Sequence, residues 1–136
     1  MAKIIDKTPD RERAKSMRRM ARRILERIDE TDREEYPTQV LKDYYEAIHN
    51  LLEAISSSIG KKVRGGGAHA ELISMVSRKF ELDTSTEKFL QSLRRYRNRI
   101  SYEGFFIKED YLERNENRIR ETINELERIL EYSLDS

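Results

Sequence analysis

Apolar residues recur along this chain at intervals of three and four, the spacing that lines one face of a helix. Met17, Met20, Ala21, Ile24 and Ile28 form such a stripe and predict a helix from about Asp10 to Glu30. Thr8 ahead of Pro9 fits a cap with proline at the first helical position, and residues 1–9 read as a loose lead-in. A polar connector, Thr31 to Glu35, precedes a second helix from near Tyr36-Pro37-Thr38 to about Ile59. Its stripe is broad (Val40, Leu41, Tyr44, Tyr45, Ile48, Leu51, Leu52, Ile55), so it should be the most buried helix. Gly60 ends it, and Lys61 to Gly67 reads as a flexible glycine-rich connector.

A short helix follows, about Ala68 to Phe80, with Leu72, Ile73, Val76 and Phe80 inward. Thr84 with Glu87 three residues on has the form of a capping box and opens a helix that runs to about Tyr102. Phe89, Leu93, Tyr96 and Ile100 are its stripe. After a turn at Glu103-Gly104-Phe105-Phe106-Ile107, the last helix spans about Lys108 to Ser133, with Leu112, Ile119, Ile123, Leu126 and Leu130 inward. The pattern predicts an all-α, up-and-down bundle of four long helices and one short one, forming a single domain over residues 1–136.

Charged residues are 39% of the chain and apolar ones 37%, so the core must be economical and the surface densely charged. Without cysteine, disulfides and thiol catalysis are excluded. That composition, and the lack of an apolar run long enough to span a bilayer, lead us to expect a cytoplasmic protein with no membrane partner. The net charge of +1 points to no particular partner, but its distribution is uneven. Residues 11 to 23 are strongly basic, whereas the chain from Glu109 onward is rich in acids. Either a basic face awaits phosphates, or the terminal helices lie antiparallel and neutralise one another.

The fourth predicted helix carries Arg94, Arg95, Arg97 and Arg99 with no acid between Glu87 and Glu103. A solvated helix usually mixes its signs to gain ion pairs one turn apart, so an anion is expected at this one. Other candidate chemistry is sparse. His49 lies beside the second helix's stripe and reads as structural, since no second ligand has metal-binding spacing. The Gly65-Gly66-Gly67 loop lacks the strand and lysine-serine/threonine pair of a phosphate-binding loop. Its Lys61, Lys62 and Arg64 remain candidates for reaching along a polyanion. Phe105-Phe106-Ile107 must pack into the core or another subunit.

Arg97-Asn98, followed by an aromatic at Tyr102 near the end of the penultimate long helix, resembles the motif of the HEPN family. The order of helices is similar along most of the chain. In that family an arginine, commonly a following asparagine, and a histidine after four to six further residues form the site; here Tyr102 stands where the histidine is expected. The resemblance implies a metal-independent ribonuclease or toxin-type subunit, without cofactor or metal, commonly a homodimer whose two motifs line one cleft. It implies that Arg97 holds the scissile phosphate, that Asn98 orients it, and that Tyr102 occupies the proton-transfer position. Arg94, Arg95 and Arg99 would add charge.

A phenol with a pKa of about 10 is a poor base at neutral pH where an imidazole near 6.5 is a good one. Weakened or absent cleavage is therefore expected, with binding of RNA or nucleotide retained. His69, at the start of the short helix, is the histidine that could substitute from a distance. Some relatives are neutralised by a nucleotidyltransferase that modifies a tyrosine two residues past the motif histidine, but that position here is Gly104. A nucleotidyltransferase or another antitoxin is an expected partner by analogy alone. The rival reading is a non-catalytic helical module that docks a protein partner.

Overall fold

The computed structural model describes residues 1–136 and centres on α2 (Pro37–Ser58), whose broad apolar stripe places it against every other helix. Val40, Tyr44, Ala47, Ile48, Leu51, Leu52 and Ile55 are fully buried there. Around it stand α1 (Arg11–Glu30), α3 (Ala68–Lys79), α4 (Thr84–Glu103) and α5 (Glu109–Asp135). The expected set of helices is present and the chain is mainly helical, with one small two-stranded sheet beside them.

Two short strands, β1 (Lys3–Asp6) and β2 (Lys61–Arg64), pair antiparallel with Lys3 opposite Arg64 and Asp6 opposite Lys61. The expected loose lead-in at residues 1–9 and flexible connector at Lys61 to Gly67 are thus corrected: much of each is strand. Two glycines make the pairing geometrically accessible. Gly60 has φ +70°, and a Cβ there would lie 2.4 Å from the Lys7 carbonyl oxygen; at Gly65, with φ +98°, it would lie 2.6 Å from that of Met1. The Lys7 N–H donates to the Gly60 carbonyl at 2.8 Å and the Asp10 N–H to the Ser57 carbonyl at 2.8 Å, leading the chain from sheet to helix.

The cap of α1 is Asp10, not Thr8: its carboxylate accepts from the Arg13 N–H at 2.9 Å. At α4 the cap position is Asp83, Thr84 is already helical, and no side-chain capping bond forms. Gly104, φ +66°, closes α4 in the left-handed conformation expected of a helix-ending glycine. Met20 is 57% exposed and does not join the α1 stripe, which is instead completed by the buried Ala14.

The terminal helices settle the question of the basic run. Arg18 pairs with Glu131 (2.9 Å), Arg22 with Glu127 (3.2 Å) and Asp29 with Arg120 (2.6 Å). Each step along α1 matches an equal step backward along α5, so the two run antiparallel and their charges meet across α2. Below them, the buried Tyr44 hydroxyl donates to Glu116 and accepts from Arg120 Nε at 2.7 Å, while Arg33 Nε reaches Glu116 at 2.6 Å. This network ties α2 and α5 to the α1–α2 connector.

In the turn after α4 the three apolar residues part company. Ile107 is buried and its N–H donates to Thr38 Oγ1 at 3.2 Å. Phe105 is half-buried beside Tyr96, whereas Phe106 is 73% exposed.

Candidate functional site at the seam of α2, α3 and α4

The four arginines of α4 do not form one cluster. At about 100° per residue, Arg94 and Arg97 share one face and Arg95 and Arg99 another. Arg95 and Arg99 border a shallow depression of about 270 Å³ with Ser92 and Tyr96. There the Arg99 guanidinium lies 3.8 Å from the centre of the Phe105 ring and 3.7 Å from Glu103.

Arg94 and Arg97 turn the other way, toward α2 and α3. Arg94 Nε donates to Gln91 Oε1 at 2.7 Å, and Gln91 Nε2 donates in turn to the Ala70 carbonyl of α3 at 2.9 Å. No carboxylate pairs with Arg94. Arg97, with a side chain 21% exposed, sets Nη2 3.0 Å and Nε 3.1 Å from Glu46 Oε1 of α2. Burial alone disfavours the Arg97 charge, but the Tyr102 hydroxyl and the Glu46 carboxylate more than offset it, and its pKa is raised. Arg97 stays cationic at any working pH.

Glu46, His49 and Glu53 follow one another at intervals of three and four, so they make a polar strip along one face of α2. The strip spans about 10 Å, seven residues at 1.5 Å each. The His49 ring lies against that of His69, the second residue of α3, with centres 4.2 Å apart and planes tilted by 30°, and Tyr45 stacks behind it at 6.3 Å. His49 Nε2 is 3.8 Å from Glu53, whose other carboxylate oxygen holds Arg13 of α1 at 3.3 Å and Lys62 of β2 at 4.0 Å. One buried polar atom on each ring, His49 Nδ1 and the Tyr45 hydroxyl, has no hydrogen-bond partner.

The pKa shifts follow from this setting. Burial lowers that of His49, and the neighbouring His69 lowers it further, against the pull of Glu53 and Glu46. Burial pushes the Tyr45 phenol up to about 12, moderated by Arg94 and Arg97. Tyr45 is buried and His49 half-buried, both favouring the neutral form, whereas His69 is exposed to solvent.

The remaining candidates separate. Asn98 is half-buried and makes no side-chain hydrogen bond, while Tyr102 is 79% exposed just past Arg97. Lys61 is paired with Asp6; Lys62 joins the strip through Glu53; Arg64 is exposed and unpaired. The three are held in β2 rather than on a mobile loop. Glu46, Glu53 and Tyr45 were not among the expected site residues. The signal for them was the polar Glu46–His49–Glu53 spacing within the most apolar helix. No three His, Cys, Asp or Glu side chains are grouped to hold a metal ion, and no helix is long and apolar enough to cross a membrane.

Compared with family models, curated proteins and solved structures, the chain matches none of them.

Proposed function

We propose that this chain is a HEPN-like RNA-binding protein whose phosphate site is the seam carrying Arg94 and Arg97. The observation that supports it most is the grouping of two sheltered α4 guanidinium groups beside the α2 strip that carries His49, with His69 of α3 packed on that ring. Arg97 presents a planar fork suited to two phosphate oxygens, and Arg94 is oriented beside it without a competing carboxylate. Asn98 and the exposed Tyr102 extend the same helix end and contribute hydrogen bonds to phosphate or ribose.

In this reading, cleavage is metal-independent and slow. The 2′-oxygen forms a bond to phosphorus, the bond from phosphorus to the 5′-oxygen breaks, and the 2′-proton passes to a base while the leaving oxygen gains a proton. A phenol such as Tyr102 is a poor base for that transfer, so the exposed His69, whose ring packs against His49, is the side chain assigned to it.

The test combines binding and cleavage of a single-stranded RNA in EDTA. Wild type should bind with affinity that falls steeply with salt, and Arg97→Ala should weaken binding about tenfold. Cleavage retained in Tyr102→Phe and lost in His69→Ala supports this distribution of roles. Absence of RNA binding at low salt removes the reading altogether.

A second reading, a protein-docking module, is favoured by the neighbouring exposed Phe106 and Tyr102. A second copy of the chain is the occupant we infer there. Sedimentation as a monomer at micromolar concentration, unchanged by Phe106→Ser, excludes it.

A further inference from the structure

A concavity of about 690 Å³ lies away from the α4 arginines, where four helices meet at one end of the bundle. There α2, α3 and α5 finish and α1 begins. Its volume lies within the about 300–1,000 Å³ typical of small-molecule sites. The floor is fixed: the Ser58 and Ser133 hydroxyls are hydrogen-bonded to each other, joining α2 to α5. One wall, Pro9 to Arg11, is pinned by the bond from the Asp10 N–H to the Ser57 carbonyl.

The rim carries unused chemistry. Arg11 and Lys79 both line the cavity, and neither pairs with a carboxylate, in a chain where most of α1's arginines do. Tyr132, 70% exposed, and Phe80 offer flat apolar surface. Glu81 is the second, independent sign. It is the residue after the α3 cap, with φ +54°, and the Leu82 N–H closes the turn on the Ser77 carbonyl at 3.0 Å. That turn is the place where helices favour glycine, since a Cβ is strained there. Glu81 is the one non-glycine residue of the chain at positive φ, and its side chain lines the cavity. Departures from local preference of this kind gather at functional sites.

We propose that this end cavity is a binding site for a small aromatic anion that also carries hydrogen-bond donors, of the nucleoside monophosphate type. Arg11 and Lys79 hold the anionic group, and Tyr132 stacks on the ring. Glu81 and the carbonyl-rich helix ends accept from hydroxyl or amino groups, which a bare anion lacks. None of the α4 arginines lines the cavity, so this site is independent of RNA binding at the seam.

The test is isothermal titration of the full chain with AMP, adenosine and inorganic phosphate. AMP should bind measurably at submillimolar concentration, with adenosine and phosphate each weaker. Arg11→Gln, Lys79→Gln and Tyr132→Ala should each weaken AMP about fivefold to tenfold. Glu81→Gly should raise the melting temperature while weakening AMP, opposite signs that a purely structural role does not produce. No AMP binding at millimolar concentration overturns the proposal. So does AMP binding that survives the three rim substitutions and disappears in Arg97→Ala, which would place the nucleotide at the α4 seam instead.

Discussion

Glu46 occupies the position on Arg97 that a phosphate would need. Both hydrogen bonds from Arg97, at 3.0 and 3.1 Å, end on the same carboxylate oxygen, and the two side chains are 21% and 35% exposed. A pair this sheltered belongs near the upper end of the range for accessible ion pairs, about 1 kcal/mol. Phosphate binding at Arg97 must first release that carboxylate. Glu46→Gln keeps the side chain's length and leaves a neutral acceptor while removing the competing charge. Two effects of opposite sign follow. Folding stability falls by about 0.5–1 kcal/mol, read as a lower urea midpoint with an unchanged slope. Affinity for single-stranded RNA rises by about two- to fivefold, the same energy converted at 1.4 kcal/mol per factor of ten. Fluorescence anisotropy with a labelled oligonucleotide, at fixed salt, measures the second effect. If Glu46→Gln binds RNA more weakly than wild type, the carboxylate aims Arg97 rather than competing with ligand, and the reasoning fails.

Three further outcomes follow from the rest of the fold. Gly60→Ala should destabilise by about 1–3 kcal/mol in chemical denaturation, because its Cβ meets the Lys7 carbonyl and its φ is +70°; an unchanged midpoint would mean that the N-terminal strand is not seated as described. Tyr44→Phe should cost about 1–2 kcal/mol by removing the hydroxyl shared by Glu116 and Arg120; a neutral effect would show that the two charges pair well without it. The lowered His49 pKa, in a setting of Tyr45, Glu46, Glu53, His69 and Arg97, makes stability pH-dependent. The unfolded state takes up this proton first, so stability present above about pH 6.5 is lost as pH falls toward the depressed folded value. The drop in urea midpoint between pH 7.5 and 5.5 should be smaller in His49→Asn than in wild type.

The helices were legible because burial imposes a period. Val40, Tyr44, Ile48, Leu51 and Ile55 repeat at three to four residues for as long as α2 lies against its neighbours. The sheet left no such trace. Each strand has four residues, Lys-Ile-Ile-Asp and Lys-Lys-Val-Arg, too short and too charged to show an alternation. The glycines beside β2 look like flexibility in one dimension and are close backbone approach in three. At the site, Arg97 stood out by composition, but Glu46 lies 51 positions away in the sequence and nothing local announces the pairing. His49 and His69 likewise meet only because α2 and α3 pack together. The Arg97-Asn98 pair could be read from the chain; the imidazoles beside it required the fold.

Charge pairing also decides which basic face is open. With 27 basic and 26 acidic side chains, nearly every cation has an available partner, and a run of arginines in sequence does not identify a surface for anions. The α1 run looks like the stronger candidate on the page, yet Arg13, Arg18, Arg22 and Arg27 are engaged by Glu53, Glu131, Glu127 and Asp43. On α4 no acid lies between Glu87 and Glu103, so Arg94 and Arg95 have none one turn away, and Arg97 must reach across to α2. A nucleic acid choosing between the two helices meets mostly neutralised cations on α1 and open or singly held cations on α4. Substituting Arg18 and Arg22 together should therefore lower stability and leave RNA affinity nearly unchanged. Substituting Arg94 and Arg95 should do the reverse, and equal losses of affinity from both pairs would mean that long-range field, not local availability, draws the RNA.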